Sequence, residues 1–383
     1  MKSIILLGAT GNIGLQTIEV INENNDFLLI GISIGHNLNR GLEILKEFPS
    51  IRYAYIIDKN AAFLIRESFP NVTVYFGEDG LKEMIHNHKA DIIVNALVGF
   101  AGLIPTIEAL KNNQYVALAN KEALVVGGEL VNDLLTKGYG QLFPIDSEHS
   151  AIHKCLAVSN ENVEKLILTA SGGAFKKYQR EETANLSAKE ALKHPTWNMG
   201  AKITIDCATM MNKCFEVIEA HYLFDYPYDK ISILLHDESM IHSMVKYKDG
   251  IYRAEISHPD MKNPIRYALY DGKITFDTSI SKDYHRFGDY HFHRFTFKRY
   301  PLVRWAKKVI EEKGILGAVL NASNEVAVQA YLNGEIKFLE IDKVINTCMN
   351  ETQNIAHPSL EIILDVDKKT RARAREIINN LER

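Results

Sequence analysis

A short apolar run, Ile4-Ile5-Leu6-Leu7, passes directly into Gly8-Ala9-Thr10-Gly11-Asn12-Ile13-Gly14, and a helical pattern follows over 14–23. This order of strand, glycine turn and helix constrains the fold more than any other feature of the chain. The glycines permit a tight turn and a close backbone approach, and the free N–H groups of the following helix then face an anion such as a pyrophosphate. A glycine pattern is weak on its own and gains force from opening a βαβ unit; a tight βα turn without a ligand is the competing reading. Further strand patterns at 27–32, 53–57 and 92–96 alternate with helical ones such as 81–88. Alternation of this kind predicts a parallel sheet wrapped by helices over residues 1–149, a Rossmann-like α/β domain.

The rest of the chain reads differently. With 383 residues, two or three domains are expected. Over 150–280 a strand at 165–169, a glycine turn and a helix pattern are followed by strands near 231–235, 241–247 and 252–256, which suggests a central α+β domain. Residues 281–312 are rich in aromatic and basic side chains and read as a connection, and 313–383 read as a C-terminal helical bundle broken at Asn333-Gly334 and His357-Pro358. The net charge of −4 argues against a nucleic-acid binder. The one basic run, 368–375, has helical spacing and reads as a solvated face. Four cysteines without zinc spacing fit a reducing cytosol. No secretion signal or membrane-spanning run is read, so a cytoplasmic protein is expected.

Candidate chemistry gathers at several strand ends. Strand two runs into Gly35-His36-Asn37-Leu38-Asn39-Arg40. The acid that holds the ribose hydroxyls in an NAD site is missing, and these residues suit the 2′-phosphate of NADP; a merely polar loop is the alternative. Asp146 and Glu148 flank Ser147. In an extended segment both acids point to one side and can grip a hard cation, Mg²⁺ or Mn²⁺ rather than zinc; helix capping is the bland reading. Further on, 206–216 opens a helix on which Asn212 and Glu216 share a face beside Lys213. Glu216 is then a candidate third metal ligand and Asn212 and Lys213 candidate phosphate holders, against plain surface polarity. Ser171-Gly172-Gly173 can wrap an anion. His194-Pro195-Thr196-Trp197-Asn198-Met199-Gly200 looks like a lid with an exposed Trp, or a loop anchored by it. Asn120-Lys121-Glu122 follows a strand, where ligands of parallel sheets bind.

Together the stretches GATGNIG, NALVGFAGL, LANKEALV, PIDSEHSAI, TASGGAF, HPTWNMG, DCATMMNKCFEVIEAHYLF, IHSMV, PDMKNPIRYAL and LNASNEVAV resemble the 1-deoxy-D-xylulose 5-phosphate reductoisomerase family, in its order and over nearly the whole chain. The resemblance implies rearrangement of a sugar-phosphate skeleton followed by reduction with NADPH. It implies that Asp146, Glu148 and Glu216 hold a divalent cation. Ser147 and Lys121 would hold substrate oxygens. Ser171, Cys207, Asn212 and Lys213 would surround the phosphate, and His194 would reach the substrate from the lid, which Trp197 completes. Thr10, Gly11, Asn12, Ile13, Gly35, His36, Asn37, Asn120, Glu122 and Gly200 would line the NADPH site. A homodimer is implied as well.

Some positions depart from the family pattern. Cys207 stands where serine is usual, and a thiol is a poorer hydrogen-bonding group, so weaker phosphate binding is expected there. Asn12 replaces a common Ser and Ala174 a common Pro. His236-Asp237-Glu238 replaces His-Pro-Gln and His258 a Gly, where local packing changes alone are expected. Two other functions compete. A semialdehyde-dehydrogenase-like reductase would need a nucleophilic Cys155 or Cys207. A nucleotide-binding regulator would carry a degenerate site, for which Cys207 is the one sign.

Overall fold

Seven apolar runs pair as parallel strands: β1 Lys2–Leu7, β2 Phe27–Ile34, β3 Tyr53–Ile56, β4 Thr73–Phe76, β5 Ile92–Asn95, β6 Tyr115–Leu118 and β7 Gln141–Pro144. They belong to a computed structural model that describes residues 1–23, 25–197, 199–273 and 288–381, and within these the chain divides into two units. The first unit comprises Met1–Ala123, Leu130–Asp146 and 261–273. Its sheet has the order β4-β3-β2-β1-β5-β6-β7. Successive strands step outward from β1 to β4, then the chain returns to pair β5 with the other side of β1. That reversal opens a crevice at the carboxyl ends of β1 and β5, the usual ligand position in such sheets.

The strands are short and buried on both faces, as parallel sheets require. Ile4, Ile5, Leu6 and Leu7 are all fully buried, and each contributes about 1.5–3 kcal/mol of hydrophobic stabilisation. The helix Lys262–Leu269 adds Ile265, Tyr267, Ala268 and Leu269 to this core. It is held there by Arg266, whose guanidinium lies 2.5 Å from Glu23, and by Tyr115, whose hydroxyl donates to the Ala268 carbonyl.

The second unit comprises Leu124–Glu129, Ser147–Asp260 and 288–381. Its mixed sheet contains β8 Val163–Ala170, β9 Ile231–His236, β10 Ile241–Tyr247, β11 Tyr252–Ile256 and β12 Phe292–Arg294, in the order β11-β10-β8-β9-β12. Only β8 and β9 run parallel. Helices Ala201–Thr209 and Met211–Phe224 cover it, and Arg304–Glu312, Leu316–Leu332, Phe338–Glu351 and Leu360–Asn379 form the C-terminal helical part. Leu316–Leu332 is buried almost all round. A side chain at Gly317 would meet the Val125 carbonyl at 1.8 Å, so glycine is what lets the segment Leu124–Glu129 rest on this helix. The basic run at 368–375 lies on the last helix, where Arg371, Arg373 and Arg375 pair with Glu325, Glu351 and Glu335. The face expected to be solvated is largely exposed and also ion-paired. The architecture is the expected α/β type, with a parallel-sheet N-terminal part and a helical C-terminal part. No described helix is long and apolar enough to cross a membrane.

Candidate active site

In the first unit the glycine turn is shaped by two positions that tolerate no side chain. Gly8 has φ +80°, and a Cβ there would lie 2.5 Å from the Ala96 carbonyl at the end of β5. A Cβ at Gly14 would lie 2.2 Å from the Gly8 carbonyl. The turn is stitched to the end of β2, where Gly8 N–H donates to Ser33 Oγ at 2.7 Å and Gly35 N–H to Thr10 Oγ1 at 3.3 Å. Gly11, Asn12, Gly35, His36 and Asn37 are exposed around it, and Thr10 and Ile13 are half-buried. Asn37 caps the helix Leu38–Glu47, accepting from Arg40 N–H at 3.1 Å, while the Arg40 side chain pairs with Glu43. Of the polar residues read there from the sequence, Asn37 and Arg40 thus have local partners.

The ends of β5, β6 and β7 continue the rim. Asn120 is buried and donates to the carbonyls of Leu97 and Gly99, and its oxygen accepts from Ala123 N–H. Glu122 is buried against it. Both residues shape the rim from beneath. Lys121, also buried, places its ammonium 2.5 Å from Asp146, which follows β7. The adjacency of β6 and β7 brings these two together.

In the second unit the helix Ser147–Val158 starts immediately after Asp146. Glu148 therefore stands in a first helical turn, and the extended reading of 146–148 is corrected. Pro144 ends the strand, and an acid and a serine favour helix initiation over continued pairing. Ser147 Oγ donates to Glu148 Oε2 at 2.5 Å. The helical reading of 206–216 is corrected too. Met210 adopts φ +64° and splits it, so that Asn212, Lys213 and Glu216 open a fresh helix, Met211–Phe224. The trio does share a face. Asn212 Nδ2 donates to Glu216 Oε1 at 2.5 Å. Lys213 Nζ donates to Glu148 Oε1 at 2.7 Å, to the Thr169 carbonyl at 2.6 Å and to Glu216 Oε2. Burial alone would lower the Lys213 pKa, but the Glu148 and Glu216 carboxylates outweigh it and hold the ammonium well above its ordinary value. Glu148 and Glu216 each offer an oxygen within 4.8 Å of the other, a spacing one cation can bridge.

The Ser171-Gly172-Gly173 turn follows β8, with φ +82° and +70° at its glycines. A Cβ at Gly173 would lie 2.5 Å from the Cys207 carbonyl, so the turn lies directly on the helix that carries Cys207. Cys207 itself is half-buried. His194 Nδ1 accepts from the Trp197 and Thr196 N–H groups at 2.9 and 3.3 Å. Its Nε2 must then carry the hydrogen and donate to Ser171 Oγ at 3.1 Å. Ser171 Oγ also accepts from Gly173 N–H, which leaves its own hydrogen available to an incoming acceptor. Trp197 is half-buried rather than exposed, 6.0 Å from the His242 ring, and Gly200 caps the helix Ala201–Thr209.

Burial, aided by the Lys176 ammonium and opposed by Glu148, pushes His194 down to about 4. A folded-state pKa below the unfolded one means the unfolded chain binds the extra proton. The contribution of neutral His194 is therefore full above about pH 6.5 and lost as pH falls toward 4. Titration of the His194 ring by NMR is expected to show a midpoint below pH 5, and Lys176→Met to raise it. A midpoint at the ordinary histidine value would contradict this environment.

Two contributions, those of His149 and the Thr169 carbonyl, had little signal in the sequence. His149 is fully buried, donates from Nε2 to the Glu216 carbonyl at 2.9 Å, and sets Nδ1 3.2 Å from Glu219. The Thr169 carbonyl is a backbone group that no motif reveals. Asp237 pairs with Lys176 at 3.1 Å and with His293 at 3.1 Å. Glu238 accepts from the backbone and ring of His291. The departure at 237–238 thus adds an ion pair to Lys176 and hydrogen bonds to His291 and His293 just beyond β9, more than the local packing change expected. Finally, Cys155 is buried and its thiol is pushed up to about 11, mainly by burial, which makes it a poor nucleophile.

Comparison with known proteins gives matches along the whole chain. Residues 4–128 match the family described as 1-deoxy-D-xylulose 5-phosphate reductoisomerase, 142–224 its C-terminal domain, and 256–373 the DXP reductoisomerase C-terminal domain. The reductoisomerase of Listeria monocytogenes serotype 4b is 42% identical over 99% of this chain and 100% of its own, and that of a Geobacillus strain is 44% identical with the same coverage. A crystal structure of DOX-P reductoisomerase with NADPH, fosmidomycin and magnesium superposes with a TM-score of 0.93 at 33% identity, covering 100% of this chain and 99% of that one. The Zymomonas mobilis enzyme with NADPH gives 0.90 at 35%, covering 99% and 100%. With family models matched along both parts of the chain and relatives 42% and 44% identical over its full length, the chain belongs to the 1-deoxy-D-xylulose 5-phosphate reductoisomerase family.

Proposed function

We propose that this chain converts 1-deoxy-D-xylulose 5-phosphate to 2-C-methyl-D-erythritol 4-phosphate with NADPH and a divalent cation, a step of non-mevalonate isoprenoid biosynthesis. The observation that carries the reading is the convergence of Glu148 and Glu216, from two helices, on one buried point next to the SGG turn. Asp146, two residues before Glu148, completes an all-oxygen donor set of the kind Mg²⁺ and Mn²⁺ take. Bound there, the cation supplies Lewis-acid stabilisation of charge on the substrate oxygens during carbon–carbon cleavage and rejoining.

The chain's own residues do the rest. Ser147 and Lys121 orient the reacting oxygens. Ser171 directs its free hydroxyl hydrogen to the phosphate, with Cys207, Asn212 and Lys213 around it. Neutral His194 positions Ser171 and closes the site with Trp197, which excludes water from the hydride step. The turn at Thr10, Gly11, Asn12 and Ile13, with Gly35, His36 and Asn37, takes the NADPH phosphates on backbone N–H groups. Asn120, Glu122 and Gly200 are further NADPH-site residues in this reading. In this reading the first unit, with 261–273 in its core rather than in the 150–280 domain expected from the sequence, is the cofactor domain; the second holds the catalytic and dimerising part and the C-terminal helices, to which Arg304–Glu312 belongs rather than to a connection over 281–312; 274–287 lie outside the described residues. A cytoplasmic homodimer follows from the family resemblance.

NADPH consumption with 1-deoxy-D-xylulose 5-phosphate, measured with and without a chelator, tests this. Turnover that needs both NADPH and Mg²⁺ or Mn²⁺ is expected, and undiminished turnover in chelator would refute the metal assignment. Cys207→Ser is expected to lower the KM for substrate or leave it unchanged, since a hydroxyl is the better phosphate partner. A Cys155→Ala, Cys207→Ser double variant that still oxidises NADPH excludes a thioester mechanism.

A further inference from the structure

We propose that Lys213 is an internal counter-ion of the cation site, and that cation binding makes its ammonium available to the substrate phosphate. The proposal rests on the metal reading above and adds a coupling to it. An ammonium has three N–H groups. Those of Lys213 reach Glu148 Oε1, the Thr169 carbonyl and Glu216 Oε2, and the residue is 3% exposed. In this arrangement no donor is left for a phosphate.

The carboxylates are occupied in the same way. Glu148 turns one oxygen to Lys213 and the other to Ser147. Glu216 turns one to Lys213 and the other to Asn212. A divalent cation would take the electron pairs that now face the ammonium. Phosphate binding by Lys213 and its pairing with both acids are therefore alternatives.

The physical reason for such an arrangement is charge. A buried and a half-buried carboxylate this close repel unless a cation lies between them. Lys213 supplies one positive charge from within the chain, and a divalent ion supplies two. When the ion is present the ammonium is no longer needed by the acids. It remains tethered near Thr169, two residues before Ser171 of the SGG turn. Phosphate arriving first must instead pull the ammonium away from both acids without supplying a positive charge in its place. The two ligands therefore favour each other, and by linkage the effect is reciprocal.

The test uses the full chain without nucleotide, with Mg²⁺ alone and inorganic phosphate as probes, followed by calorimetry. In the unmodified protein, saturating Mg²⁺ is expected to tighten phosphate binding by at least about fivefold. Lys213→Met is expected to bind Mg²⁺ about tenfold more tightly near pH 8, because the acids lose their competing partner, and to abolish the Mg²⁺ effect on phosphate. Unchanged or weaker Mg²⁺ binding in Lys213→Met overturns the counter-ion role, as does phosphate affinity that ignores Mg²⁺ in the unmodified protein, a measurement that needs no variant. Glu216→Gln separates the two readings. If it leaves Mg²⁺ binding unaltered, the metal assignment itself fails.

Discussion

Glu216→Gln is expected to lower kcat by about a thousandfold or more at saturating Mg²⁺ and substrate, the scale of losing a preorganised electrostatic contact to developing charge. The amide keeps the shape and can still accept from Asn212, but it removes one anionic ligand. It also sets an N–H₂ group or a neutral oxygen against the Lys213 ammonium, which the carboxylate now faces. Glu148 still pairs with Lys213, so the fold survives with a lowered Tm rather than collapsing. Steady-state NADPH oxidation together with thermal unfolding separates the two effects. Turnover within tenfold of the unmodified chain would remove Glu216 from the reacting centre.

Gly14→Ala is expected to raise the KM for NADPH by tenfold or more and to lower stability by about 2–4 kcal/mol. The added methyl would lie 2.2 Å from the Gly8 carbonyl and 2.7 Å from Ala9 backbone atoms. Backbone on that side cannot rotate away as a flexible side chain can, so the turn must open. Opening it breaks the Gly8–Ser33 and Gly35–Thr10 bonds that set the loop against the end of β2. Fluorescence titration with NADPH and chemical unfolding report the two consequences. An unchanged nucleotide affinity would show that the turn does not hold the dinucleotide.

Local signals carried a large part of this molecule. The glycine turn was legible because steric exclusion at Gly8 and Gly14 acts within one βα unit. The Asn212–Glu216 pair was legible because helical spacing alone places i and i+4 on one face. The junction at 146–148 was misread because a proline, an acid and a serine are compatible with either an extended or a helical start. Met210 in a left-handed conformation is not foreshadowed by its residue type, and so the break before Asn212 was invisible. The role of His149 has no signal along the chain, because its partner is a backbone carbonyl 67 residues away.

By itself the sequence determined the alternation of strands and helices, the order of the motifs and, through their resemblance, the family and its chemistry. These depend on periodicity and on residue type, which are written along the chain. Only the tertiary structure decided that Lys213 is saturated by two acids and a carbonyl, and that Asn120 is buried beneath the rim rather than open to solvent. It also decided that His194 is held neutral with its Nε2 hydrogen on Ser171. Each of these depends on which distant backbone groups and charges share a buried, low-dielectric space, and burial is a property of the packed chain rather than of any short stretch of it.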